Sequence, residues 1–179
     1  SISVYLYTIS LPSLPASQEA GDDVVGKWTF KSEKTSWAAL NNVDLVIKDE
    51  VLRVVATGGD PHFSSPVSAP AGWKELSFRA RFRGRRDGQI FWGTSGEPGT
   101  SEKNSVDFSI RNRDQKWITY SVFFKPEADL TMLRIDPHTG KSATEIEWIS
   151  LVNKEPPVPK ATPINRIKAL DDFKVELLY

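Results

Sequence analysis

Apolar and polar residues alternate with period two through most of the chain. The clearest case is Leu76 to Arg83, where Leu76, Phe78, Ala80 and Phe82 face one way and Ser77, Arg79, Arg81 and Arg83 the other. That pattern predicts a strand with one core face and one wet face. Leu130 to Leu151 reads as the closing strand pair of the domain. Leu133 and Ile135 alternate with Met132, Arg134 and Asp136, Pro137 stops the first strand, and Glu145 to Leu151 forms the second. In that second strand the apolar parity changes between Trp148 and Ile149, which predicts a bulge or burial on both faces.

The other segments follow the same logic. Lys27 to Phe30 opens the domain, and Val43 to Ile47 and Val51 to Ala56 flank a turn at Lys48-Asp49-Glu50 that lacks the usual glycine. Phe63 to Val67 predicts a short strand ended by Pro66 and Pro70. Arg86-Asp87-Gly88 predicts a hairpin turn, followed by a strand over Gln89 to Gly93, a Gly/Ser/Pro loop over 94–104, and strands over Ser105 to Arg111 and Trp117 to Phe124. No helical period competes. The expected architecture is an all-β, jelly-roll-type sandwich of about nine or ten strands. It occupies residues 24–153, with an N-terminal arm over 1–23 and a Pro-rich linker and arm, or the start of another module, over 154–179. The apolar run Ile2 to Leu11 reads either as a signal-peptide remnant or as a docking arm, and is too short to span a membrane.

Composition removes several function classes. Lys plus Arg and Asp plus Glu number 23 each, so the formal net charge is zero. A general nucleic-acid binder would need a basic excess. Without cysteine there is no disulfide scaffold, thiolate zinc site or cysteine nucleophile. Two histidines supply little for acid–base or metal chemistry, while six tryptophans suit both a β-rich core and stacking on sugars.

Five spaced segments carry a resemblance. They are Trp28-Thr29-Phe30, Gly59 to His62, Gly88 to Trp92, Ser101 to Val106, and Leu133 to Pro137 followed by Glu145 to Ile149. In that order they resemble the galactose-binding-like, carbohydrate-binding-module-like sandwiches of large exported bacterial proteins. The tail Phe173 to Tyr179 is similar to the lead-in to a β-propeller in exported haem-binding, dehydrogenase-like proteins. The resemblance implies a noncatalytic accessory module, extracytoplasmic placement and polysaccharide as ligand. The alternative is an extrinsic subunit whose terminal arms dock onto a larger, membrane-bound assembly or onto further modules of a longer chain.

Each candidate residue carries a sharp and a plain reading. Trp73, Trp92 and Trp117, with Phe91, Tyr120 and Phe123, are candidate stacking rings, although most aromatics in a sandwich are core. Trp117 and Phe123 share parity opposite Ile118, Tyr120 and Val122, so one face of that strand is expected to be exposed. The row Arg79, Arg81, Arg83, Arg85, Arg86 reads as a grip for sulfated or uronic glycans, or as a solvated strand face. Asp60-Pro61-His62 and Asp136-Pro137-His138 read as a shared polar site on a sugar or metal, or as turn chemistry occurring twice; Asp60 or Asp136 is also placed to pair with Arg134 across neighbouring strands. The expected cofactor is none, structural calcium being the one ion the resemblance suggests, with Asp22, Asp23, Asp44 and Glu147 as oxygen donors. Glu145 and Glu147, at i and i+2, are spaced like a glycosidase pair but read more plainly as solvated carboxylates.

Overall fold

Eleven strands form two antiparallel sheets in a computed structural model that describes residues 23–83, 87–111, 115–137 and 143–158. The strands are β1 (Asp23–Thr29), β2 (Ala38–Asn41), β3 (Val43–Lys48), β4 (Val51–Ala56), β5 (His62–Ala69), β6 (Lys74–Phe82), β7 (Gly88–Thr94), β8 (Ser105–Phe108), β9 (Ile118–Phe124), β10 (Leu130–Asp136) and β11 (Ala143–Asn153). The first sheet has the order β3-β4-β11-β6-β9, with β1 also pairing β11; the second runs β2-β5-β10-β7-β8. This is the all-β sandwich that the alternation predicts. The terminal segments 1–22 and 159–179, on which the docking-arm and signal-peptide readings rest, lie outside the described residues, as do Arg85, Arg86 and His138. Among the described residues no helix is long and apolar enough to cross a membrane.

β10 and β11 are consecutive, yet they do not pair with each other. β10 is the middle strand of the five-stranded sheet, between β5 and β7. β11 is central to the other sheet, with β6 along one edge and β4 followed by β1 along the other. The expected closing pair is therefore the two sheet centres, one per layer, joined by a crossover. Their inner residues Leu133, Ile135, Ile146, Ile149 and Leu151 meet the inward row Leu76, Phe78, Ala80 and Phe82 of β6 in one core. Phe78, Phe82, Phe108 and Tyr120 pack ring against ring there, with Phe78 stacked on Tyr120 at 5.2 Å. Such pairs add about 0.5–1.5 kcal/mol each beyond burial of their area.

Local chemistry accounts for the main departures. The Lys48-Asp49-Glu50 turn forms without glycine because Asp49 and Glu50 adopt φ of 55° and 60°, the left-handed pair that a tight hairpin needs. β5 does not stop at Pro66 but continues to Ala69. β2 pairs only as far as Ser64, so beyond that residue one side of β5 is open and tolerates a residue with no N–H. Lys74 faces inward and is 1% exposed. Its ammonium donates to the Gly72 carbonyl at 3.0 Å, and burial lowers its pKa.

Candidate functional site

The outer face of the six-stranded sheet is built in rows perpendicular to the strands. In the first row Glu145 of β11 lies opposite Arg53 of β4 and Arg81 of β6. Arg81 donates to the Glu145 carboxylate from its Nε, and the Arg53 Nε stands 3.5 Å from the other oxygen. Arg81 in turn lies over the Trp117 ring, 5.0 Å from its centroid, with Arg79 at 6.0 Å. Glu145 is only 7% exposed. The hydrogen bond from Arg81 holds its carboxyl below the usual range, against the opposing effect of burial.

The second row depends on a bulge. The β11–β6 register slips between Ile146 and Trp148, which leaves Glu147 as the extra residue. Ile146 and Ile149 can then both face the core while Trp148 sits opposite Arg79 on the outer face. Glu147 pairs with Arg79 at 3.1 Å. The third row is polar: Lys27, Ser150, Ser77 and Ser121 lie in register across β1, β11, β6 and β9, and the Ser77 and Ser121 hydroxyls are 3.0 Å apart.

A groove follows these rows along β11. One stretch, about 390 Å³, is bounded by Trp117, Trp148, Arg79, Glu147 and the β3–β4 turn. The other, about 500 Å³, passes Trp148, Ser150 and Ser77 and ends near Lys154. Thr29 and Trp148 line both stretches, so the two adjoin at these residues. An indole flanked by hydroxyls and guanidinium N–H groups offers a flat apolar surface beside hydrogen-bonding groups.

The nine sequence candidates divide among several places. Trp117, Arg79 and Arg81 belong to this face. Trp92 is 7% exposed and packs on Phe124 at 4.8 Å, so its ring is core and presents nothing to a ligand. Its position follows from the inward parity of Ile90 and Trp92 on β7. Phe91 and Tyr120 are buried as well. Trp73 lies before β6, with Lys125 6.0 Å from its centroid, and is not part of the groove wall. Trp148 is the residue that sequence reasoning missed as a site residue; the parity change around it was the available signal.

His62, Arg134 and Asp136 lie on the opposite sheet, and Asp60 in the loop that leads into it. Asp60, His62 and Asp136 offer ligand atoms within 4.8 Å of one another, so the repeated Asp-Pro segments do converge. Arg134 pairs with Asp136 along β10 rather than across neighbouring strands: Nε donates to Oδ1 at 2.7 Å and Nη2 to Oδ2 at 2.6 Å. With both Asp136 oxygens held by a guanidinium, the cluster is a poor cation site. The carboxylates suggested for calcium do not converge among the described residues, outside which Asp22 falls. Asp23 accepts from Asn153 at 2.7 Å, Glu147 pairs with Arg79, and Asp44 is exposed on β3. Asp23, Asp44 and Glu147 therefore do not gather into one cluster.

No family model matches the chain, and no curated protein does. Solved structures do. The xylan-binding CBM22-1 domain of Xyn10C from Paenibacillus barcinonensis aligns with a TM-score of 0.59 at 16% identity, over 75% of this chain and 97% of that one. CBM1 of BiXyn10A aligns with a TM-score of 0.55 at 12% identity, over 74% and 100%. A point mutant of CBM29-2, a family 29 carbohydrate binding module, aligns with a TM-score of 0.53 at 11% identity, over 75% and 92%. The chain thus has the β-sandwich fold of carbohydrate-binding modules, and at these identities the likeness is one of fold.

Proposed function

We propose that this chain is a noncatalytic carbohydrate-binding module of an exported bacterial protein, and that it holds polysaccharide on the outer face of the six-stranded sheet. The observation that carries the reading is the pair of adjoining stretches of groove, with Trp148 lining both and Trp117 lining one. The indoles stack on pyranose rings, while Arg79, Arg81 and the Ser77, Ser121 and Ser150 hydroxyls read the sugar hydroxyls. Fold likeness to modules whose names state carbohydrate binding supports the same reading.

A binding role also suits the state of the carboxylates. A glycosidase acid needs a raised pKa. Glu145 is shifted the other way by Arg81, and Glu147 is paired with Arg79. Glu145 is buried rather than solvated, the Glu147 side chain stays 44% exposed, and the two pair with arginines beside Trp117.

The test is affinity electrophoresis of the full chain through gels containing polysaccharides, with Trp148→Ala and Trp117→Ala beside the parent. Retardation by a glycan, weakened by either substitution in protein that melts like the parent, is the expected result. Retardation that both variants keep in full would move the site off this face.

A further inference from the structure

The charges lining the groove bear on which glycan it takes. Its cations are Lys27, Lys31, Arg79 and Lys154. Its carboxylates are Asp49, Glu50, Glu75 and Glu147. Among the described residues four stand against four, and they are interleaved rather than separated. Glu147 is 3.1 Å from Arg79 and Glu75 is 3.0 Å from Lys154. Beside the groove, Arg81 and Arg53 share the buried Glu145, and Arg53 also reaches Asp49 at 3.4 Å. A site for sulfate or uronate needs guanidinium or ammonium groups in excess, because a second anion must otherwise approach carboxylates already in place. The described lining residues lack that excess, although the sequence alone invites the anionic reading.

Shape adds a second constraint. The groove follows β11 from Glu147 to Lys154, a path on the order of 20 Å at the usual strand rise. That is several sugar units, not one. The small side chains Ser77 and Ser150 flank the path beyond Trp148 and leave it open along the sheet.

We infer that the ligand is an uncharged, extended glycan chain lying along β11, with the arginines donating their spare N–H groups to hydroxyls rather than gripping anions. This rests on the proposed binding function and narrows it to a substrate class. Each guanidinium engages a carboxylate through its Nε and keeps its Nη edge for the sugar. Because no net charge is neutralised on binding, retention is insensitive to salt.

The experiment uses the full chain and two sets of probes. Xylan, glucomannan and mixed-linkage β-glucan are the neutral set; polygalacturonate, alginate and κ-carrageenan are the anionic set. Gels are run at about 0.01 M and about 1 M salt, where the screening length falls from about 30 to about 3 Å. Expected is retention by at least one neutral glycan, equal at both salt concentrations, and none by the anionic set. Glu147→Gln, which frees the Arg79 charge, is expected to gain weak, salt-sensitive retention on the anionic set. Calorimetry with neutral oligosaccharides of the retained type should show affinity rising with length to about four units, the number a groove of that length holds. Retention only on anionic glycans, lost at high salt, would overturn the inference and leave the binding function standing. Retention on neither set would overturn both. Affinity that is already complete with a disaccharide would overturn the extended-chain part alone.

Discussion

The two outer faces of the sandwich carry the same three kinds of group in different circumstances. On the six-stranded sheet, Glu145 fastens Arg81, which lies over Trp117. On the five-stranded sheet, Asp136 fastens Arg134, which lies over Phe91 at 4.6 Å. Trp117 precedes the edge strand β9, is half-buried, and borders an open groove. Phe91 is on the interior strand β7, and although it points away from the core it is only 5% exposed.

The difference is the loop over 95–104. Its Glu97 accepts from Ser101, Lys103 and Asn104, each at 3.2 Å, which ties the loop into a compact unit. The Pro98 carbonyl then sits so close to β7 that a Cβ on Gly93 would lie 2.5 Å from it. Thr100 also reaches Arg134, at 3.4 Å. An arginine, an aromatic ring and a carboxylate therefore form a candidate site where no described residue covers them and a seal where a loop is packed beside them. Composition alone does not separate these outcomes.

Four substitutions probe that contrast. The largest effect is expected from Phe91→Ala on the sealed face. It should cost about 3–5 kcal/mol of stability, read by urea denaturation, because a buried ring is removed from under Arg134 and the loop. Glycan affinity of the fraction that remains folded should not change. Equal losses of affinity and stability would show that the sealed face also contacts the ligand.

Next comes Glu145→Gln, which removes the charge that holds Arg81 and Arg53 and should cost about 1–3 kcal/mol at neutral pH. The folded pKa of Glu145 lies below its ordinary 4.5, so its contribution is complete above that value and is lost as pH falls through the folded value. The gap in stability between parent and variant should therefore shrink on acidification. A gap that widens toward low pH would contradict the assigned ion pair.

Trp148→Ala should act mainly on binding. About a tenfold loss of affinity, roughly 1.4 kcal/mol by calorimetry, is expected, with little change in the melt because the ring is half-buried on the outer face. The smallest effect belongs to Asp60→Asn. The Asp60 side chain is 66% exposed and stands 3.6 Å from His62 Nδ1, so the change in stability should stay below about 0.5 kcal/mol. A larger change, or a melt of the parent raised by added calcium or zinc and lost in this variant, would show that Asp60, His62 and Asp136 hold a cation after all.

Local order along the chain is enough to say which way side chains face in each strand. Leu76, Phe78, Ala80 and Phe82 are core because alternation places them on one side and water disfavours their exposure. The Lys48-Asp49-Glu50 turn and the bulge beside Trp148 were legible for the same reason: turn conformation and strand parity are properties of neighbouring residues. Which sheet each strand joins, and what lies over each outer face, came only from the folded arrangement. Period two says that Trp92 and Phe91 face opposite ways, but not that both become buried, one in the core and the other under Arg134. It says that Glu145 and Arg81 face outward, but not that they meet, since 64 residues separate them in the chain. Pairing register, crossover and loop closure are set by long-range contacts. They distinguish the open face with Trp117 and Trp148 from the sealed face with Phe91 and Arg134.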